Sequence, residues 1–256
     1  NRFAVAEFEQ SGARGTGTVL TPTGDHRFLE GELAGSRLHL SAFDGSHLFL
    51  YEAELTSDSS LQGHFFSGRH YHDTWVAFRK ADASLPDPDA LAFLRPGYST
   101  LDFSFADRNG KYWTPRDPSF VNTVLIVQLL GSWCPNCMDE TAFLSDYYRM
   151  HRDRGIEIIG IAYERTTDSL RIWKNIDRFR NFHHVEYPLV YGGYANKDSA
   201  AKTLPMLNRV FAFPTTIILD RKGQVRRVHS GFNGPATGEA YKRETAELSS
   251  FIDRLL

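Results

Sequence analysis

The stretch Thr123-Val124-Leu125-Ile126-Val127-Gln128-Leu129-Leu130-Gly131-Ser132-Trp133-Cys134-Pro135-Asn136-Cys137-Met138-Asp139-Glu140 decides how the chain is to be read. Its first part, Thr123 to Leu130, is a short, nearly continuous apolar run, the pattern of a strand buried on both faces. After Gly131 the period changes. From Met138 to Arg154 the residues Phe143, Leu144, Tyr147, Tyr148 and His151 fall on the i, i+3, i+4 grid of a helix. Arg149, Arg152 and Arg154 crowd the end of that segment before Gly155, where cations suit the helix dipole and glycine supplies a stop. A buried strand therefore hands over to a helix at Trp133-Cys134-Pro135-Asn136-Cys137.

Cys134 and Cys137 are the only cysteines in 256 residues, which excludes a disulfide scaffold and places both sulfurs in one Cys-x-x-Cys. A thiolate at a helix N-terminus meets unpaired N–H groups and the positive end of the dipole, so Cys134 is expected to be the attacking thiolate. Pro135 fits the first turn because its missing N–H is not needed there. Cys137 follows one turn later on the same face. The β-carbons of an i, i+3 pair lie roughly 5 to 6 Å apart, against about 3.8 Å in a relaxed disulfide. A bond between the two sulfurs needs local adjustment and is more reducible than a structural one. The expected chemistry is attack of Cys134 on a partner disulfide, a mixed disulfide, and displacement by Cys137, or the same steps reversed. A zinc site would need a second ligand pair, and the nearest histidine, His151, lies far down the helix. A structural disulfide across two residues closes too short a loop to add much stability.

Working outward, Ile156 to Ala162 reads as another buried strand, Asp168 to Phe182 as a helix, Leu189 to Tyr191 as a short strand and Lys197 to Leu204 as a short helix. Thr215 to Leu219 and Val225 to His229 flank the turn Asp220-Arg221-Lys222-Gly223 and must be antiparallel, and Glu239 to Leu256 forms a closing helix. Before the central strand, Leu101 to Phe105 reads as a strand followed by a turn at Asp107-Arg108-Asn109-Gly110. Helices between buried strands predict an α/β domain with a central mixed sheet, right-handed crossovers and helices on both faces.

Residues 1–80 differ. Short apolar stretches alternate with glycine-rich punctuation at Arg14 to Leu20, His26 to Leu33, Leu38 to Phe43, His47 to Leu55, Leu61 to Phe66 and Thr74 to Phe78. Asp44-Gly45 is the best hairpin signal among them. An antiparallel all-β meander, closed as a small half-barrel or sandwich, is the expectation. The run Ala81-Asp82-Ala83-Ser84-Leu85-Pro86-Asp87-Pro88-Asp89 is rich in Pro and Asp and favours an extended connector. The expected organisation is a β-rich domain over 1–80, a linker over 81–97 and the α/β domain over 98–256.

Twenty-nine Lys and Arg against 31 Asp and Glu give a net charge of -2, which leaves no electrostatic footprint for nucleic acid or an anionic membrane. No apolar run approaches the roughly 18 residues of a membrane span; Val121 to Leu130 is interrupted by Asn122, Thr123 and Gln128. The chain begins Asn1-Arg2-Phe3 without Met or a signal-type segment, so a leader removed or omitted is expected. Six of the ten histidines precede residue 80. His70 and His72 would share a strand face as a metal pair could, but no further ligand completes a site, and no metal is expected.

Three ordered motifs carry a resemblance: Leu101-Asp102-Phe103-Ser104-Phe105-Ala106-Asp107-Arg108-Asn109-Gly110-Lys111, Ser132-Trp133-Cys134-Pro135-Asn136-Cys137-Met138-Asp139-Glu140, and Phe213-Pro214-Thr215-Thr216-Ile217-Ile218-Leu219-Asp220-Arg221-Lys222-Gly223. Through them residues 97 to 256 resemble the thioredoxin superfamily, specifically the TlpA/ResA-like thiol-disulfide oxidoreductases of bacterial envelopes. The N-terminal 80 residues resemble only β-rich extensions found ahead of such domains. The resemblance implies a thioredoxin fold and a catalytic set of Cys134, Cys137, a cis-proline at Pro214 and the acid Glu140. Trp133, Pro135, Asn136 and Phe213 would contact the substrate, with Trp133 shielding the sulfurs and the Phe213 backbone pairing with the substrate strand. Glu140, one turn below Cys137, would have its pKa raised if buried and would exchange protons with that thiol. The resemblance further implies no cofactor beyond the redox-active Cys134–Cys137 pair, partners that are protein thiols or disulfides plus an upstream reductant, a periplasmic or secreted location, and action as a reductant. A peroxiredoxin shares the fold, but Val127 and Gly131 stand where its Pro and Thr/Ser pattern belongs. A Sco-like copper carrier has a three-residue spacer and a remote histidine, and His183, His184 and His229 have no assigned part in such a site.

Overall fold

The computed structural model describes residues 3–45 and 47–256. The chain divides into two compact units, one running to Leu85 and including Asn233–Tyr241, the other comprising Pro86–Phe232 and Lys242–Leu256. None of the described helices is long and apolar enough to cross a membrane.

The first unit is a single antiparallel sheet built from β1 (Val5–Ser11), β2 (Arg14–Thr21), β3 (Gly24–Asp25), β4 (Leu29–Ala34), β5 (Arg37–Phe43), β6 (Leu48–Ser57), β7 (Ser60–Ser67) and β8 (Tyr71–Phe78). The order is β1-β2-β4-β5-β6-β7-β8, with β3 beside β2. One sheet, not two packed sheets, replaces the sandwich alternative, because all eight strands pair within a single ladder, β3 as a short addition to β2, and none is left to build a second layer. Alternation sets the faces: in β5, Leu38, Leu40 and Ala42 are buried and their neighbours exposed. They pack with Val19, Leu29, Tyr51 and Ala53, and with the half-buried Phe49, Leu61, Phe65 and Trp75. Gly63 allows β6 and β7 to close on each other, since a Cβ there would fall on the Glu52 carbonyl oxygen. The returning segment 233–241 is anchored by the Gly234 N–H, which donates to the buried Asp25 carboxylate at 2.6 Å. His70 lies in the turn before β8, so it shares no strand face with His72. His72 instead meets His64 across β7 and β8, ring nitrogens 2.9 Å apart.

The second unit holds a five-stranded sheet ordered β13-β12-β11-β14-β15. Before it, β9 (Phe105–Ala106) and β10 (Tyr112–Trp113) form a small hairpin. Leu101 to Phe105 is therefore not a strand: Leu101 and Phe103 are buried as an alternating pattern requires, but no ladder runs along them, and only Phe105 pairs. The main elements are β11 (Val124–Leu130), α1 (Pro135–His151), β12 (Ile156–Glu164), α2 (Ser169–Phe182), β13 (Leu189–Tyr194), α3 (Lys197–Thr203), β14 (Thr215–Leu219), β15 (Val225–Ser230) and α4 (Glu239–Asp253). β11 pairs in parallel with β12, and β12 with β13; β14 runs antiparallel to both β11 and β15. Every residue of β11 and β14 is buried, so both faces of the sheet centre are covered. α2 starts where the Asp168 carboxylate accepts from the Leu170 and Arg171 N–H groups, and α1 ends through a 3-10 turn at Gly155, φ 88°.

Candidate active site

β11 delivers the chain to the start of α1 through Gly131, whose missing side chain leaves room for the Trp133 ring. Trp133 is fixed from three directions. Its Nε1–H donates to the Tyr163 carbonyl at 2.9 Å, the Arg165 guanidinium lies 3.7 Å over the ring, and Phe213 meets it edge-on at 6.0 Å. Ser132 is held by Glu164, a buried carboxylate that accepts its N–H at 3.0 Å and its hydroxyl at 2.8 Å.

Cys134 is the N-cap of α1 and Pro135 its first residue, the position where a missing N–H costs least. The Cys137 N–H donates to the Cys134 sulfur at 3.4 Å, and the Cys134 thiol donates to the Phe213 carbonyl at 3.3 Å. Phe213 precedes Pro214 through a cis peptide bond. Both cysteines are free thiols. Cys134 is 5% exposed and Cys137 0%, so a partner sulfur can reach only the first. Asn136 directs its amide N–H to the Phe232 carbonyl at 3.0 Å. Trp133, Cys134, Pro135, Asn136, Cys137, Glu140, Phe213 and Pro214 thus gather around the start of α1.

Beneath the sulfurs lies a wholly buried polar cluster. Glu140 has no exposed surface; Gln128 Nε2 donates to one carboxylate oxygen at 2.7 Å and Thr216 Oγ1 to the other at 2.6 Å. Gln128 is oriented in turn by the Thr141 hydroxyl, which donates to its Oε1 at 3.1 Å and leaves the amide N–H facing Glu140. Burial lifts the Glu140 pKa to about 7, against the opposing pull of its Thr216 and Gln128 hydrogen bonds and of His229. Burial also pushes the Cys137 thiol well above the ordinary thiol range, reinforced by the neighbouring Cys134 sulfur and by Glu140. The arrangement pairs a buried thiol that resists ionisation with a carboxyl group poised near neutrality one turn away.

Sequence reasoning placed Glu140 but missed its partners. Gln128 shows in the sequence only as the polar interruption of an apolar strand, and Thr216 as one of two threonines after a proline. Their convergence depends on the register of β11 with β14, where Gln128 and Thr216 are opposed. Of the unassigned histidines, His229 alone opposes a residue of this cluster, namely Thr216. Among the described residues no group of three or more His, Cys, Asp or Glu is arranged to hold a metal ion.

The chain is similar to several known proteins. The thiol-disulfide oxidoreductase ResA of Halalkalibacterium halodurans is 24% identical over 137 residues, which are 54% of this chain and 69% of that protein. ResA of Geobacillus kaustophilus is 24% identical over 135 residues, 53% of this chain and 69% of that protein. Among solved structures, a thiol-disulfide oxidoreductase from Bacteroides fragilis aligns with a TM-score of 0.44 at 18% identity, over 59% of this chain and all but 1% of its own. A thiol:disulfide interchange protein of the thioredoxin family from Chlorobium tepidum aligns at 0.43 and 20% identity, over 60% of this chain and 99% of its own. The Redoxin family matches residues 96–243, more than half of the chain and all of the cluster just described, and the chain belongs to that family within the thioredoxin superfamily.

Proposed function

We propose that this thiol-disulfide oxidoreductase works as a reductant of protein disulfides, with Cys134 as the nucleophile, Cys137 as the resolving thiol and Glu140 as the base that serves it. The Cys134 thiolate attacks one sulfur of a partner disulfide; that S–S bond breaks, a mixed disulfide forms and the partner's other sulfur leaves as a thiolate that takes up a proton. Cys137 then transfers its proton to Glu140 and attacks the Cys134 sulfur. The second partner thiol is released and the Cys134–Cys137 disulfide remains. Two electrons have passed to the partner, and an upstream dithiol returns them. The Cys134–Cys137 pair is the whole redox centre in this reading, and Trp133, Pro135, Asn136 and the Phe213 backbone border the bound segment. A periplasmic or secreted setting suits the reading, since protein disulfides persist in oxidising compartments.

The observation that carries it is the asymmetry of the two sulfurs: Cys134 caps the helix with some surface exposed, while Cys137 has none and sits above a buried acid. The experiment is reduction of insulin disulfides by wild type, Cys134→Ser and Cys137→Ser. Cys134→Ser is expected to be inactive, and Cys137→Ser to trap the partner on Cys134. Turnover that survives Cys134→Ser would refute the assignment.

A further inference from the structure

His229 is a buried side chain with no part in the steps above. It is 4% exposed, and both ring nitrogens face carboxylate oxygens: Nδ1 lies 2.7 Å from Asp89 Oδ1 and Nε2 lies 3.0 Å from Glu244 Oε1. An ionised carboxylate only accepts hydrogen bonds, so a ring held between two of them carries a proton on each nitrogen and is a cation. Burial alone would strip that proton, but the Asp89 and Glu244 hydrogen bonds outweigh it and lift the pKa to about 9.

The position of this cation matters. His229 on β15 opposes Thr216 on β14, and Thr216 opposes Gln128 on β11. Residues directly opposed in antiparallel strands share a face, with β-carbons about 4.5 to 5.5 Å apart. Gln128, Thr216 and His229 are thus a polar row across three strands of the sheet. Glu140 from α1 lies over the first two members and Glu244 from α4 over the third. Arg227, also on β15, completes the surroundings with its Nε 2.8 Å from Asp89 Oδ2 and its Nη2 3.4 Å from His229 Nδ1. Two cations, His229 and Arg227, face two anions, Asp89 and Glu244. That quartet sums to zero, and the ionisation of Glu140 adds net charge beside it.

We propose that the His229 imidazolium, clamped between Asp89 and Glu244, is a positioning residue that stabilises the ionised form of Glu140 from the adjacent strand and so sets the pH at which Cys137 finds an acceptor for its proton. The proposal rests on the reading of Glu140 as the base for Cys137. The imidazolium touches neither sulfur nor substrate; its effect passes through the carboxylate. Glu244 acts on Glu140 in the opposite sense, so the observed balance is a difference between close charges, and removing the single cation of the row tips it.

The test follows the Glu140 side-chain carboxyl carbon by NMR in the reduced full-length protein, with Glu140→Gln identifying the resonance. In His229→Gln the titration midpoint should move up by at least one pH unit, a tenfold tighter hold on the proton, while His229→Lys, which restores a cation between the same carboxylates, should return it to within about 0.3 unit of wild type. The pH profile of resolution, measured as partner release from a preformed mixed disulfide, should move with it. An unmoved midpoint in His229→Gln, or His229→Lys shifting it as far as His229→Gln does, overturns the proposal. Should His229→Gln not fold, the reciprocal measurement carries the test: coupling between the two groups works both ways, so the His229 ring titration midpoint should fall in Glu140→Gln relative to wild type, and an unmoved midpoint refutes the proposal. Because the midpoint is read without turnover, loss of insulin reduction and loss of this coupling are separate results.

Discussion

Replacing Glu140 by glutamine should make the protein more stable as the pH rises, and the size of the effect follows from the site. A carboxyl group with an ordinary pKa near 4.5 when unfolded and about 7 when folded binds its proton more tightly in the folded state. Its contribution to stability is complete below about pH 4.5 and is lost as the pH climbs through 7, because the folded chain must then hold a buried carboxylate that the unfolded chain leaves in water. The difference of about 2.5 pH units corresponds to about 3 kcal/mol at 1.36 kcal/mol per unit. Glutamine has nothing to ionise. Its Oε1 can accept from Gln128 Nε2 and its amide can donate to Thr216 Oγ1, so the cluster keeps two hydrogen bonds. Whatever fixed offset the substitution brings, the stability of Glu140→Gln minus that of wild type should grow by about 3 kcal/mol between pH 4.5 and 8. At about 2 to 4 °C per kcal/mol for a chain of this size, the melting temperatures should separate by about 6 to 12 °C more at pH 8 than at pH 4.5. Urea unfolding or calorimetry of the two reduced proteins across that range measures it. A difference that stays flat between pH 5 and 8 would show that Glu140 titrates normally, and the base assigned to Cys137 would be lost with it.

Gln128→Leu should cost about 1 to 3 kcal/mol, since it strips Glu140 of one donor and leaves the buried Thr141 hydroxyl without its acceptor, and it should also raise the midpoint of Glu140; chemical denaturation and the carboxyl titration check the two effects. The stability penalty of His229→Gln should be greatest below about pH 6.5 and fade as the pH passes 9, where the wild-type imidazole loses its proton; denaturation midpoints at pH 6 and 9.5 would contradict this if the penalty were equal at both. Gly63→Ala should weaken the N-terminal sheet, because the added carbon meets the Glu52 carbonyl of the paired strand, with loss of amide-exchange protection across β6 and β7 as the readout.

What the sequence made legible follows a physical line. The strand-to-helix junction at Cys134 could be read because burial on both faces and helical period are local signals, and residues 124–151 carry both without conflict. β1 escaped the reading because Val5 to Ser11 is almost wholly exposed: it is held by backbone pairing to β2, which leaves no apolar alternation to find. Leu101 to Phe105 failed in the opposite sense, alternating as a strand does and burying Leu101 and Phe103, yet lacking a neighbour to pair with. The partners of Glu140 lie 12 and 76 positions away in the chain. Which threonine of β14 faces Gln128 is a matter of register, and a slip of one residue would turn Thr216 to the other face. No period in the sequence encodes that choice.

The proposed chemistry requires the buried cluster for a reason visible in the exposure of the two sulfurs. A thiol with no accessible surface cannot hand its proton to water, so the resolving role proposed for Cys137 calls for an acceptor built into the protein. That acceptor must itself be buried, and burial alone would keep it protonated at neutral pH and useless as a base. Two donated hydrogen bonds and a neighbouring cation pull the other way and leave Glu140 near 7, where it can both take a proton and release it. The row Gln128, Thr216 and His229 is therefore the counterpart of placing the resolving sulfur out of reach of water. In the proposed cycle, sealing Cys137 inside confines its attack to the Cys134 sulfur, and Glu140, tuned by the polar row, replaces the proton acceptor that the seal removed.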